Sequence, residues 1–100
     1  MGQTSSHIAV LGTGSWGTTF SQVLADAGLE VRMWGRRGTI VEMVNSGENS
    51  AYLPGVELSS RITATTDLKS AVTGASAVVL AVPVGVTGEV VEAAVAHAPE

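Results

Sequence analysis

A short apolar run, His7-Ile8-Ala9-Val10-Leu11, leads directly into Gly12-Thr13-Gly14-Ser15-Trp16-Gly17, and no other feature of the chain limits its folding as strongly. An apolar, β-branched run stopped by glycine is the pattern of a strand buried on both faces. Three glycines at G-x-G-x-x-G spacing let the backbone turn sharply at a strand end and let other groups approach the main chain closely. After the turn, Trp16, Phe20, Val23, Leu24 and Ala27 recur at helical spacing, and Gly28 stands where a left-handed residue closes a helix. Residues 7–11 and 15–27 are therefore predicted to form strand, turn and helix as one unit.

The same alternation continues. Residues 30–34 read as a second strand closed by Gly35, and residues 39–45 as a helix with Ile40, Met43 and Val44 on one face. Residues 46–60, rich in Gly, Asn, Ser and Pro, read as one long irregular connection inside the domain. Residues 61–65 form a third strand, and Thr66-Asp67 offers an N-cap for a short helix through Val72, closed by Gly74. Residues 77–82 hold no polar side chain, which predicts a strand placed centrally in a parallel sheet and ended by Pro83. Residues 87–97 read as a last helix with Val90, Val91, Ala94 and Val95 toward the core. The expected fold class is α/β, a Rossmann-like doubly wound parallel sheet of about four strands alternating with helices. Residues 1–6 are expected to be a flexible leader.

Composition bounds what such a domain does. With 45% hydrophobic and 14% charged residues, the 100-residue chain can bury one core. A net charge of −4, with Arg36-Arg37 its one adjacent basic pair, argues against nucleic acid and anionic membranes. The absence of cysteine removes disulfides, thiol catalysis and thiolate metal sites, and two histidines supply metal chemistry poorly. The longest apolar run, residues 77–86, is interrupted by Pro83 and Gly85 and falls short of the roughly 18–20 residues that span a bilayer. No signal peptide is recognisable. No paired-carboxylate or Ser-His-Asp constellation is present, so neither a catalytic nor a metal residue is expected in this chain.

A glycine turn between a buried strand and a helix start suits the pyrophosphate of a dinucleotide. The first glycine permits the turn, the second lets the pyrophosphate reach the backbone, and the third lets helix and strand pack closely. Helix N–H groups face the anion, and the helix dipole adds on the order of 0.3–1 kcal/mol. The Gly-Lys-Ser/Thr ending of a nucleoside-triphosphate P-loop is absent. About twenty residues after such a loop, an Asp or Glu usually receives the ribose 2′-hydroxyl. Here Arg36 and Arg37 stand instead, and charge-assisted bonds to a 2′-phosphate are worth roughly 1.5–3 kcal/mol each. NADP(H) is therefore expected to be preferred or tolerated, with NAD(H) still accepted; the plainer alternative is that the arginines are a solvated helix start. Trp34 reads as core. Trp16 either walls the cofactor or packs as the first anchor of its helix. His7, His97 and Asp67 read as strand-end, helix-end and helix-start residues.

Residues 8–18, Ile-Ala-Val-Leu-Gly-Thr-Gly-Ser-Trp-Gly-Thr, resemble the opening of bacterial-type NAD(P)-dependent glycerol-3-phosphate dehydrogenases. Residues 31–37, Asn45, Asn49, Tyr52-Leu53-Pro54-Gly55, Leu58, residues 64–68 and Ala81-Val82-Pro83 follow in that family's order and spacing. The resemblance implies a cytoplasmic enzyme that reduces dihydroxyacetone phosphate to sn-glycerol 3-phosphate for phospholipid synthesis. It implies cofactor contacts at Ser15, Trp16, Arg36 and Arg37, beside the loop glycines Gly12, Gly14 and Gly17, with Tyr52 in a segment close to the cofactor and Pro83 near the nicotinamide. Residues 7–100 would then be the N-terminal part of an NAD(P)-binding domain, and the full-length protein could pair as a homodimer. After Pro83 the family usually carries a polar or aromatic pair, where this chain has Val84-Gly85-Val86. The family's catalytic lysine and substrate-phosphate site lie in a helical domain that this chain does not include, so the chain alone is not expected to turn over substrate. A ketopantoate-reductase-type domain and a non-catalytic dinucleotide-binding module are the competing readings.

Overall fold

In register, four short apolar runs stack into one parallel sheet. The computed structural model describes residues 6–50 and 53–81. Its elements are β1 (His7–Leu11), α1 (Ser15–Asp26), β2 (Val31–Trp34), α2 (Gly38–Asn45), β3 (Glu48–Asn49), β4 (Leu53–Glu57), β5 (Ile62–Thr65), α3 (Leu68–Val72) and β6 (Ala75–Leu80). The sheet runs β5-β2-β1-β6, all pairs parallel, while β3 and β4 form a separate antiparallel pair.

Alternation along each strand sends side chains to two different cores. On one face Val10, Val31, Met33, Ile62 and Ala64 pack beneath α1 and α2 with Ile40, Val41 and Val44. On the other face Ala9, Leu11, Trp34 and Ala75 pack against Ala71 and Val72 of α3. Burying each of the larger aliphatic side chains contributes roughly 1.5–3 kcal/mol. The two-sided burial is what doubly wound folds require, and the Rossmann-like expectation holds. His7 opens β1 as read, and its Nε2–H donates to the Ala71 carbonyl at 2.7 Å, tying the strand to α3. Asp67 caps α3, its carboxylate accepting from the Lys69 amide.

Three expectations change. Residues 46–60 are not wholly irregular: they carry the β3–β4 pair, whose two ends are joined by the Leu58 amide donating to the Gly47 carbonyl at 2.7 Å. The strand expected at residues 77–82 runs instead over Ala75–Leu80, and it lies at the edge of the sheet among the described residues, with Val78 and Leu80 exposed. Its apolar composition reports what it can pack against, not which neighbours it has. Finally, the apolar stripe of α1 meets the core only in part, through Leu24, and of the two readings of Trp16 the helix anchor is not realised. Gly17, Thr18, Ser21 and Ala25 face the sheet, while Trp16 and Val23 are each 58% exposed. The predicted helix at residues 87–97, with His97, lies outside the described residues.

The opposite edge is finished differently. At the end of α2 the Asn45 side chain lies along β5 like a short strand, its amide donating to the Ala64 carbonyl at 2.9 Å and its oxygen accepting from the Ala64 amide at 2.8 Å.

Candidate functional site

All four parallel strands end at one level. Leu11 is paired with Trp34 and with Leu80, and Trp34 with Thr65, so Gly12, Gly35 and Ala81 follow along a common rim. Backbone bonds stitch the rim: Gly12 N–H to the Trp34 carbonyl at 2.7 Å, Ala81 N–H to the Leu11 carbonyl at 2.9 Å, and Gly35 N–H to the Thr65 carbonyl at 3.1 Å. From β1 the sheet is built outward in both directions, to β2 on one side and β6 on the other. In open α/β sheets, ligands bind beyond the strand ends at such a switch point. The glycine turn lies there.

Each loop glycine has its own reason. Gly12 has φ +140°, and a Cβ on it would run into the Ala81 carbonyl. A Cβ on Gly17 would lie 2.5 Å from the Gly12 carbonyl oxygen, so α1 sits against the loop only because residue 17 lacks a side chain. Gly14, the N-cap of α1, has an ordinary φ of −76° and open space for 4 Å around the place of a Cβ. It makes no side-chain cap bond, so the helix start is left to the backbone.

The loop is held from beneath. The Thr13 carbonyl accepts from the Thr18 hydroxyl at 3.2 Å and from the Asn49 amide at 3.0 Å, and that amide also donates to Thr18 Oγ1 at 2.9 Å. Thr18 and Asn49 are fully buried. The Asn49 oxygen has no hydrogen-bond partner, a loss of about 1–3 kcal/mol that the two donated bonds offset. Asn49 was not among the site residues expected from sequence. A lone polar residue in a Gly/Ser-rich stretch gives no local signal, and only its place in the family's order pointed to it.

The second strand-to-helix turn abuts the first, for a Cβ on Gly35 would come within 2.7 Å of the Thr13 side chain. Beyond it Arg36 and Arg37 are exposed, and Arg37 is the N-cap of α2. The Arg36 guanidinium carbon lies 5.8 Å from the centre of the Trp34 ring, within cation–π range. Trp34 is buried as expected, and its indole N–H donates to the Thr66 carbonyl at 3.0 Å, so the platform under Arg36 is fixed.

Trp16 does not anchor α1 to the core. Its ring stacks on Phe20 at 5.1 Å between centres and stays in the open beside the loop. Tyr52 and Pro83 lie outside the described residues. Gly12, Gly14, Ser15, Trp16 and Gly17 thus share one turn, with Arg36 and Arg37 on the neighbouring one. An open cleft of about 610 Å³, lined by Gln22, Asp26, Asn45, Glu57 and Ser59 among others, lies beside the start of β5 and includes no residue of the glycine turn. Among the described residues no cluster of His, Asp or Glu could hold a metal ion, and no helix is long and apolar enough to cross a membrane.

A parallel sheet clothed on both faces, with a glycine turn at its switch point, defines the chain as a Rossmann-like nucleotide-binding unit. Residues 7–100 match the family described as NAD-dependent glycerol-3-phosphate dehydrogenase N-terminus, and the chain belongs to that family. It is 48% identical over 94 residues to glycerol-3-phosphate dehydrogenase [NAD(P)+] of Bacillus velezensis, covering 93% of this chain and 27% of that protein. It is 56% identical over 80 residues to the same enzyme of Thermobifida fusca, covering 78% of this chain and 24% of the relative. The crystal structure of glycerol-3-phosphate dehydrogenase from Coxiella burnetii superimposes with a TM-score of 0.88 at 32% identity, over 96% of this chain and 30% of that one. The chain therefore spans about a quarter of the length of the curated relatives it matches. These matches favour the glycerol-phosphate reading over the ketopantoate-reductase alternative.

Proposed function

We propose that this chain is the dinucleotide-holding part of an NAD(P)-dependent glycerol-3-phosphate dehydrogenase, acting in the cytoplasm to interconvert dihydroxyacetone phosphate and sn-glycerol 3-phosphate and so supply phospholipid synthesis. Gly14 carries this reading. Gly12 and Gly17 are glycine because the fold leaves no room for a side chain, whereas nothing in the fold requires glycine at residue 14. A helix N-cap is served better by Ser, Asp or Asn. A bare backbone at a helix start, with clear space before it, suits pyrophosphate oxygens received by N–H groups.

The residues present fit the dinucleotide. When bound, it supplies or accepts the hydride. Gly14 and Ser15 meet the pyrophosphate, Trp16 flanks it, and Arg36 and Arg37 hold the 2′-phosphate of NADP(H) without excluding NAD(H). Tyr52 and Pro83 would complete the cofactor side. The proton for the carbonyl and the grip on the substrate phosphate fall to the portion of the relatives that this chain does not span, and the full-length protein would be a homodimer.

The test is Gly14→Ala, titrated with NADPH by tryptophan emission alongside a thermal melt. The expected outcome is an unchanged melting temperature and binding weakened tenfold or more, about 1.4 kcal/mol. Binding as tight as the parent's would overturn the reading.

A further inference from the structure

We infer that Asn49 is a positioning residue for the pyrophosphate, acting through the peptide bond between Thr13 and Gly14; this rests on the dinucleotide reading above. Asn49 lies on β3, far in sequence from the loop, and its amide nitrogen is within hydrogen-bond distance of both the Thr13 carbonyl and Thr18 Oγ1 on the loop's underside. The carbonyl can only accept, which fixes the amide nitrogen, and not the oxygen, toward Thr13. Because Asn49 and Thr18 are both fully buried, the two bonds they give draw the Thr13 carbonyl inward.

A trans peptide is planar, and its C=O and N–H point in opposite directions. An inward Thr13 carbonyl therefore turns the Gly14 N–H the other way, away from Asn49 and Thr18, at a residue with open space where a side chain would stand. Without the inward pull, rotation of this one peptide would present the carbonyl oxygen to the phosphates, a repulsive contact in place of an attractive one. The unpartnered Asn49 oxygen fits this role, since an apolar side chain would avoid an orphaned acceptor but would give the carbonyl no hydrogen. The β3–β4 hairpin thus orients the phosphate loop without reaching the ligand through Asn49.

The experiment compares the parent chain with Asn49→Asp, nearly the same shape but with the donors replaced by an acceptor. The probes are ADP, which carries the pyrophosphate, and adenosine 2′-monophosphate, which carries only the phosphate assigned to Arg36 and Arg37. The expected result is a tenfold or greater loss for ADP with adenosine 2′-monophosphate held within twofold, and a Gly14 amide resonance that shifts with ADP in the parent and not in the variant. Thr18→Val, which removes the second donor to the same carbonyl at similar volume, gives a smaller loss of the same selectivity and serves if the aspartate variant does not fold. Equal losses for both nucleotides, or none, would overturn the inference while leaving the dinucleotide reading in place. A folded parent that binds neither nucleotide overturns that reading, and the inference with it.

Discussion

The turns after β1 and after β2 begin alike, each with a glycine at a strand end and a helix soon after, and they are finished in opposite ways. In the first, backbone lies against backbone: Gly12 against Ala81, Gly17 against Gly12, and the Thr13 carbonyl anchored from within. In the second, two long cations stand at the surface, one of them resting on an indole. On the proposed reading, a group common to every dinucleotide is met by main chain, and the group that distinguishes one dinucleotide from another is met by side chains. In the first turn Gly12 and Gly17 therefore couple binding to folding, while Gly14 and the second turn separate them.

The comparison breaks most readily at Gly17. Gly17→Ala sets a methyl against the Gly12 carbonyl, neither of which can move without shifting α1. The expected loss is about 3 kcal/mol of stability, read as a lower urea midpoint at unchanged slope. A variant as stable as the parent would show that the first turn has slack and that the contrast is false. Next in size is the double variant Arg36→Ala with Arg37→Ala. NADPH affinity should fall about thirtyfold, roughly 2 kcal/mol, while NADH affinity stays within about twofold and stability moves by less than about 1 kcal/mol. Equal losses for the two cofactors would place the arginines outside the 2′-phosphate site. The smallest effect is expected for Trp34→Phe, which keeps an aromatic surface but loses the bond to the Thr66 carbonyl. It should cost about 1 kcal/mol in chemical denaturation, with a loss of NADPH preference no greater than a fewfold.

Most of this architecture is written locally. The β-branched runs at β1 and β2, the glycines that stop them and the helical spacing in α2 each act over a few residues, so they can be read without knowing the fold. The buried face of α1 could not be found that way. Trp16, Phe20 and Val23 announce a helix, but a helix that must approach a strand as closely as Gly17 approaches Gly12 turns small residues inward. Hydrophobicity reports transfer from water and says nothing about room. Nor could the position of β6, at the sheet edge among the described residues, be read from its own composition, because a strand's position depends on partners elsewhere in the chain. Within the candidate site, the glycine turn and the arginine pair were legible as local motifs. Asn49 acts across 36 residues through a two-residue strand, and no periodicity marks such a piece.

Asn45 gives the sheet a direction of growth. Its side chain already occupies the outward hydrogen-bonding groups of Ala64, and the Ile62 amide is spent on the Ser59 carbonyl, so a strand arriving beside β5 would first have to evict an amide that fits. Accretion of new structure, whether by insertion, duplication or pairing with a foreign segment, is steered toward the β6 side. The glycine turn lies on that inner boundary, between β1 and β6, where anything added to the fold comes to stand beside it.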